Sequence, residues 1–390
     1  MQLLAIPILV GGAAAQGAPV AATAVTFSPG VSVFAGPMAG RPVLADMDRD
    51  GDLDVVLACG TCCGSRPDPR SGKVVVLEND GSGRLRPLAD AVVIGPSARK
   101  IAVGDLDGDG LPDVAVAEHD TYAVHLLQNL GGGRLVAFAD SPVAAAVGAR
   151  PHTHEIALAD LDGDRVLDVL TTNANDHAIS VLRGDGKGRM APVPGSPFAT
   201  VARHPYDALA IADFDGDGDV DVVVPLLRDG RLALLRGRGD GALSGDAADL
   251  VVVSARPGYV LAADVDRDGD VDVLGSHDDT GVLDVLINDG RGHFAAGGVE
   301  LSQPIWGLAA ADLDGDGDLD LVCGAQNGAD VQLLRGDGRG GFVAWQSLTA
   351  GRQANHVAVG DLDHDGRADI VASCYGTGEL FAFLAAAAKQ

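Results

Sequence analysis

One nine-residue stretch constrains this chain more than any other. Asp105-Leu106-Asp107-Gly108-Asp109-Gly110-Leu111-Pro112-Asp113 sets aspartates at positions 1, 3, 5 and 9 and a glycine at position 6. Close copies begin at Asp46, Asp160, Asp213, Asp264, Asp312 and Asp361, at intervals of 59, 55, 53, 51, 48 and 49 residues. A period near 50 marks a repeat architecture, in which no unit buries its apolar face alone and stacked neighbours complete the core. A length of 390 residues therefore does not demand two or three domains, because an array of repeats can be one body.

Each copy has the same surroundings. A short apolar run enters it, as in Ile101-Ala102-Val103-Gly104, and another leaves it, as in Val114-Ala115-Val116-Ala117. A polar turn and a third run follow, then a Gly-rich turn and a looser fourth run containing Pro. The Gly-rich turns span residues 79–83, 129–133, 184–188, 237–241, 288–292 and 336–340. Their Asn-Asp-Gly and Gly-Asp-Gly patterns signal hairpins, which need positive φ. Runs of four to seven Val, Leu and Ile residues suit strands and are too short for helices. Four antiparallel strands per repeat, seven times over, predict an all-β, seven-bladed propeller. The seventh repeat stops after its third run, near Leu380 to Leu384, and the run from Val25 to Phe34 has no nonapeptide before it. That run is expected to supply the last blade's fourth strand and leave no free edge. An open solenoid is the alternative, but its period is usually shorter and it needs capping repeats.

The loops and the Asn/Gly-Asp-Gly-x-Gly turns together resemble the FG-GAP/VCBS repeat family, which includes the propellers of integrin α subunits and some fungal lectins. The resemblance covers about residues 24–386. It implies a propeller whose loops bind calcium and whose ligand differs from member to member.

The loop spacing has its own chemistry. Ca²⁺ takes six to eight oxygens at about 2.3–2.6 Å, and a tight loop presents alternate side chains inward. The expected ligands are Asp46, Asp48, Asp50 and Asp54 in the first copy and Asp105, Asp107, Asp109 and Asp113 in the second. Asp160, Asp162, Asp164 and Asp168 form the third, and Asp213, Asp215, Asp217 and Asp221 the fourth. Asp264, Asp266, Asp268 and Asp272 form the fifth, Asp312, Asp314, Asp316 and Asp320 the sixth, and Asp361, Asp363, Asp365 and Asp369 the seventh. Position 7 donates a carbonyl whatever its side chain: Asp52, Leu111, Val166, Asp219, Asp270, Asp318 or Arg367. Up to seven Ca²⁺ are expected. Six copies keep the position-6 glycine; the third carries Arg165, so its site is expected to be the weakest.

Charge agrees with this reading. The net charge is −27, and 32 of the 55 acidic residues lie in the seven loops, leaving 23 against the chain's 28 bases. Such clusters repel themselves unless cations fill them, and they make nucleic acid a poor partner. Residues 1–20 read as a signal peptide or an apolar tail, Leu3-Leu4-Ala5-Ile6-Pro7-Ile8-Leu9-Val10 preceding small residues. The expectation is a secreted, periplasmic or cell-surface monomer without a membrane span in its mature form. Of five cysteines, Cys59, Cys62 and Cys63 crowd one insertion and suggest a local disulfide. Cys323 reads as a buried thiol, and Cys59 and Cys374 hold equivalent places and could pair.

In an up-and-down blade the acidic loops and Gly-rich turns share one end. Residues entering the first strands and leaving the second strands share the other. The entering set is Arg41, Arg99, Lys100, His152, His154, Glu155, His204, Tyr206, Asp207, Tyr259, Trp306, Asn355 and His356. The leaving set includes Glu118, His119, Asp120, Asn173, Asn175, Asp176, Arg228, Asp229, His277, Asp278, Gln326, Asn327 and Tyr375. Aromatic platforms beside Asp, Asn and His suit a carbohydrate, unless the aromatics simply plug the channel. The candidate ligand residues are His152, His154, His204, Tyr206, Asp207, Tyr259, Trp306, Asn355 and His356. His152-x-His154 with His204 could also hold a transition metal, although no supporting partners can be read. Arg-Gly-Asp at 183–185, 238–240 and 335–337 falls in the Gly-rich turns and reads as a backbone requirement. No G-x-S-x-G, H-E-x-x-H or phosphate loop occurs. The leading reading is a calcium-binding binding or adhesion module for glycan or extracellular protein. A polysaccharide lyase or hydrolase using the same face is the alternative.

Overall fold

The computed structural model of the protein describes residues 25–60, 72–88, 90–95, 97–146, 151–201 and 204–387. Among these, every regular element is a strand, and no helix is long and apolar enough to cross a membrane. The strands form seven antiparallel blades around an axis. The first strand of each blade lies nearest the axis: Val43–Ala45, Ala98–Gly104, Thr153–Ala159, Ala210–Ala212, Pro257–Ala263, Ile305–Ala311 and Ala354–Gly360. First strands pack against first strands of neighbouring blades.

Each second strand is six residues long, begins at the position-9 aspartate and is buried throughout, as in Asp113–Glu118 and Asp369–Cys374. Both faces of these strands are covered by adjacent blades, which is why they read as continuous apolar runs rather than alternating ones. The outer strand is looser. In the first three blades it breaks into two pieces, such as Leu135–Ala137 and Val143–Ala144, both paired with Ala123–Asn129.

The ring closes as the sequence implied. Val31–Phe34 pairs antiparallel with Glu379–Phe383 as the fourth strand of blade seven, with Val31 opposite Ala382 and Phe34 opposite Glu379. Val25–Phe27 adds a second tie, pairing with Ala385–Ala387. Cys59, Cys323 and Cys374 are buried free thiols, so no Cys59–Cys374 bond forms. The expected disulfide involving Cys62 or Cys63, like residues 1–20, lies outside the described residues.

The nonapeptide loops also tie blade to blade. The side chain at position 2 is buried in every copy: Met47, Leu106, Leu161, Phe214, Val265, Leu313 and Leu362. Its N–H donates to the position-9 carboxylate of its own loop, and in six copies its carbonyl accepts from the next blade's Gly-rich turn. Gly133 N–H reaches Met47 O at 3.1 Å, Gly188 reaches Leu106 at 2.9 Å and Gly340 reaches Val265 at 3.2 Å. Asn288 Nδ2 reaches Phe214 O at 2.9 Å. Asn79 Nδ2 reaches Leu362 O at 2.8 Å and so joins blade one to blade seven. Glycine is required at the end of these turns. Gly188 has φ 77°, and a Cβ there would run into the Phe138 ring.

Candidate functional site

Two constellations lie at opposite ends of the blades. In the acidic loops, position 6 has positive φ in all seven copies, including Arg165 at 71°. Position 4 does too: Arg49, Gly108, Gly163, Gly216, Arg267, Gly315 and His364 lie between 61° and 80°. The sequence reading missed this second left-handed residue, although glycine in four of seven copies was its signal. Where position 4 is not glycine, its side chain reaches the following loop. Arg49 Nη2 donates to Asp109 O at 3.2 Å, Arg267 pairs with Asp318 at 2.7 Å, and His364 contacts Asp52 across the ring closure.

The aspartates divide into two roles. Those at positions 1, 3 and 5 range from exposed, as Asp50 and Asp109, through half-buried, as Asp46 and Asp105, to buried in the case of Asp314. Those at position 9 are completely buried, and in every copy both carboxylate oxygens accept backbone N–H groups. Asp113 accepts from Leu106 at 3.0 Å and from Asn129 at 2.8 Å; Asp369 accepts from Leu362 at 2.8 Å and from Ala385 at 2.7 Å. Position 9 thus clamps the loop to the end of the third strand, a job the nonapeptide alone does not reveal. Burial nonetheless pushes these carboxyls up, Asp54, Asp113 and Asp272 to about 7 and Asp168, Asp221, Asp320 and Asp369 to about 6. Two backbone donors each do not offset desolvation and the neighbouring aspartates, so the loops favour added positive charge.

The donor set fits a hard divalent cation. Carboxylate oxygens of Asp46, Asp48 and Asp50 lie within 4.8 Å of one another, as do those of Asp105, Asp107 and Asp113 and those of Asp213, Asp215 and Asp221. That span is about twice a Ca–O distance. Asp46 Oδ1 and Asp361 Oδ1 are buried without a partner. Three position-3 aspartates already hold a cationic side chain: Arg183 Nε reaches Asp162 at 2.8 Å, Arg335 Nε reaches Asp314 at 2.6 Å, and Arg236 pairs with Asp215. Arg183 and Arg335 open two of the Arg-Gly-Asp tripeptides. Their glycines and aspartates serve the turn, and their arginines are folded back onto the loop, Arg335 also lying 4.6 Å over Trp345.

The opposite end is built by a shared irregularity. Blades two, three, five, six and seven each carry a β-bulge at the start of the first strand, between Ala98 and Lys100, Thr153 and Ile156, Pro257 and Tyr259, Ile305 and Leu308, and Ala354 and His356. A bulge adds one residue to one strand and re-aims its side chains. Here it carries Arg99, Lys100, His154, Glu155, Tyr259, Trp306, Asn355 and His356, while Arg41 and Asp207 come from blades one and four, which have no such bulge. Arg41 Nη2 meets Glu155 Oε1 at 3.1 Å, and Arg41 Nη1 meets the Tyr259 hydroxyl at 3.1 Å. Lys100 Nζ lies 3.9 Å from Glu155 and 3.8 Å from Asp207. Arg99 reaches Asp207 at 3.4 Å, and His154 Nδ1 lies 3.0 Å from Asp207 Oδ1. Lys100, Glu155 and Asp207 are 2%, 1% and 1% exposed.

Three cations thus face two carboxylates in a shaft where Lys100, Glu155 and Asp207 are buried and Arg41 and Arg99 partly exposed. Burial pulls the Lys100 ammonium down despite Asp207 and Glu155, while Lys100, Arg99 and His154 hold Asp207 well below the usual carboxylate range against its burial. Burial holds His154 and His204 at about 4 and His356 well below its ordinary value.

Beside the shaft a cavity of about 210 Å³ is lined by Arg99, Lys100, Tyr206, Asp207, Trp306, Asn355, His356 and Tyr375, among others. The structure therefore gathers five of the nine candidate ligand residues around one space: Tyr206, Asp207, Trp306, Asn355 and His356. His154 adjoins them, its ring 4.3 Å from that of Tyr206. Tyr259 is withdrawn into the shaft on Arg41, and Trp306, only 6% exposed, forms a wall rather than an open platform. His152 and His204 stand to one side, their ring centroids 6.1 Å apart.

Solved structures with the same fold extend over most of the chain. One of BBS1N in complex with ARL6DN has a TM-score of 0.60 at 14% identity, covering 92% of this chain and 96% of its own. An Agrocybe aegerita lectin, described as recognising non-reducing terminal N-acetylglucosamine, has a TM-score of 0.54 at 20% identity, covering 89% and 94%. A Lactobacillus plantarum protein gives 0.56 at 16%, covering 80% and 85%. A search of curated proteins gave no match. The model of the FG-GAP-like repeat matches residues 46–116, 105–171, 160–224, 264–323 and 312–372. With well over half of its length matched, the chain belongs to the FG-GAP-like repeat family.

Proposed function

We propose that the protein is an exported recognition propeller, braced by calcium at one end and taking a glycan at the other. The observation that carries this reading is the cavity in which Arg99, Lys100, Tyr206, Asp207, Asn355 and His356 converge against the Trp306 wall. A sugar needs an apolar surface against it and hydrogen-bonding groups that orient its hydroxyls; the Tyr206 ring and the Trp306 wall would supply the first, and the polar side chains the second. The cavity is smaller than a drug-sized pocket, which suits one sugar residue at a chain end. The surplus cation of the shaft favours a saccharide bearing a carboxylate. A glycan-binding lectin shares the fold, so the architecture is compatible with such a ligand.

A glycan array probed in calcium tests the reading. Binding is expected to a narrow set of terminal sugars and to fall about ten-fold or more in Arg99→Ala and Tyr206→Ala, since each removes a polar or stacking contact. Binding unchanged in both variants would remove the mouth from consideration, and a protein partner would then be sought on another face. One observation favours catalysis instead: the His154–Asp207 pair lies beside Tyr206 in the same space. Chain cleavage by the wild type, lost in Tyr206→Phe, would establish a polysaccharide-active enzyme.

For calcium, the positions 1, 3, 5 and 9 aspartates of each loop supply oxygens, and the ion supplies the positive charge those loops need. The third loop combines Arg165 at positive φ with Arg183 on Asp162. A non-glycine residue in that conformation costs about 1–2 kcal/mol. Arg165→Gly is accordingly expected to raise stability by about 1 kcal/mol and to tighten the weakest ion in a calorimetric titration. An unchanged titration would show that the loop is not limited by its backbone.

A further inference from the structure

The side of the mouth next to the cavity holds a histidine cluster that the glycan reading does not use. His119 follows the second strand of blade two, and His152 and His154 open blade three. Their ring centroids stand 4.4 Å (His119–His152), 4.4 Å (His152–His154) and 5.1 Å (His119–His154) apart. One ring nitrogen of each lies within 4.8 Å of the other two. The sequence suggested His152, His154 and His204. In the structure His119 takes the third place, and His204 stands back, its ring 6.1–6.2 Å from those of His152 and His154.

Two of the three imidazoles are already oriented by carboxylates. His154 Nδ1 lies 3.0 Å from Asp207 Oδ1, and His119 Nδ1 lies 2.8 Å from Asp120 Oδ1. In each case Nε2 is left for another partner. His154 is 3% exposed, and its Nε2 is buried with no hydrogen-bond partner. A desolvated ring nitrogen without a partner is costly unless something fills the position. A carboxylate on one nitrogen and a vacant lone pair on the other is the arrangement by which proteins fix a metal-binding histidine and raise its basicity.

We propose that His119, His152 and His154 bind one divalent transition-metal ion, with Zn²⁺ as the best-matched species. Three nitrogens satisfy the preference of zinc for imidazole and leave one tetrahedral position open for water or a ligand atom. Tetrahedral bonds of about 2.0–2.1 Å bring the nitrogens to roughly 3.4 Å from one another; rotation of the half-buried His152 ring shortens its two distances, and small shifts of His119 and His154 must close the third. The site is separate from the acidic loops in place and chemistry, being nitrogen-rich where they are oxygen-only. It does not depend on glycan binding.

The test is titration of the full-length protein with Co²⁺, a spectroscopic stand-in for zinc, in excess Ca²⁺ to occupy the loops. One equivalent is expected to develop the intense visible bands of a four- or five-coordinate ion, and Zn²⁺ is expected to displace it. His152→Ala and His119→Ala should each abolish the bands. Asp120→Asn, at a residue exposed enough to spare the fold, should weaken affinity about ten-fold or more. Weak octahedral bands alone would mean carboxylate binding and overturn the proposal. So would intense bands that survive His152→Ala, or no cobalt uptake by a correctly folded wild type.

Discussion

Chelation should lower the thermal midpoint of the protein by roughly 20 K. If each loop binds Ca²⁺ at a free concentration about 100 times its dissociation constant, each ion contributes about 2.7 kcal/mol by mass action. Seven such sites contribute about 19 kcal/mol. Unfolding entropies near 2.1 cal/mol/K per residue amount to about 0.8 kcal/mol/K for a chain this long, which sets the scale of the shift. The structural reason lies in the loops. Position 2 of each nonapeptide is hydrogen-bonded within its own blade, and in six copies to the next blade as well, so loosening one loop loosens a junction. A scan in EDTA that superimposes on one in calcium would mean that the buried position-9 aspartates hold the loops unaided.

Glu155→Gln should destabilise by about 3–5 kcal/mol, the usual cost of removing one partner from a buried ion pair. The change leaves Arg41, Arg99 and Lys100 sharing the shaft with Asp207 as its remaining carboxylate. On the same scale this is a fall of roughly 5 K in the melting midpoint. Lys100→Met should cost much less, because it removes a buried ammonium that has no hydrogen-bond partner and equalises the charges. In the double variant the two effects should be non-additive, with Lys100→Met recovering part of the loss. Equal and additive losses would show that the shaft charges do not interact and that packing alone sets the cost.

How far the sequence leads depends on the kind of contact. The seven loops, the blade order and the closing strand were legible because each is encoded locally, by a spacing, a turn or an interrupted repeat. The second role of the position-9 aspartate was not, because Asp113 is satisfied by Asn129, on another strand. Mouth topology placed these polar and aromatic side chains at the end opposite the loops, yet did not predict that Tyr259 would be withdrawn or Trp306 turned into a wall. That depends on bulges, where a one-residue slip reverses which side chain faces the axis. The pairing of His119 with His152 and His154 was hidden for a similar reason: it joins the exit of one blade to the entrance of the next.

Arg41, in blade one, bonds Glu155 in blade three and Tyr259 in blade five, 114 and 218 positions along the chain. In a linear array of repeats each unit answers only to its neighbours, and units can be added or removed with proportionate gain or loss. A hub removes that freedom. Deleting a blade would do more than shorten the ring: it would leave ions of the centre without their counter-ions. The repeats can therefore diverge in their outer strands and turns while their number stays fixed by a handful of residues that resemble one another not at all.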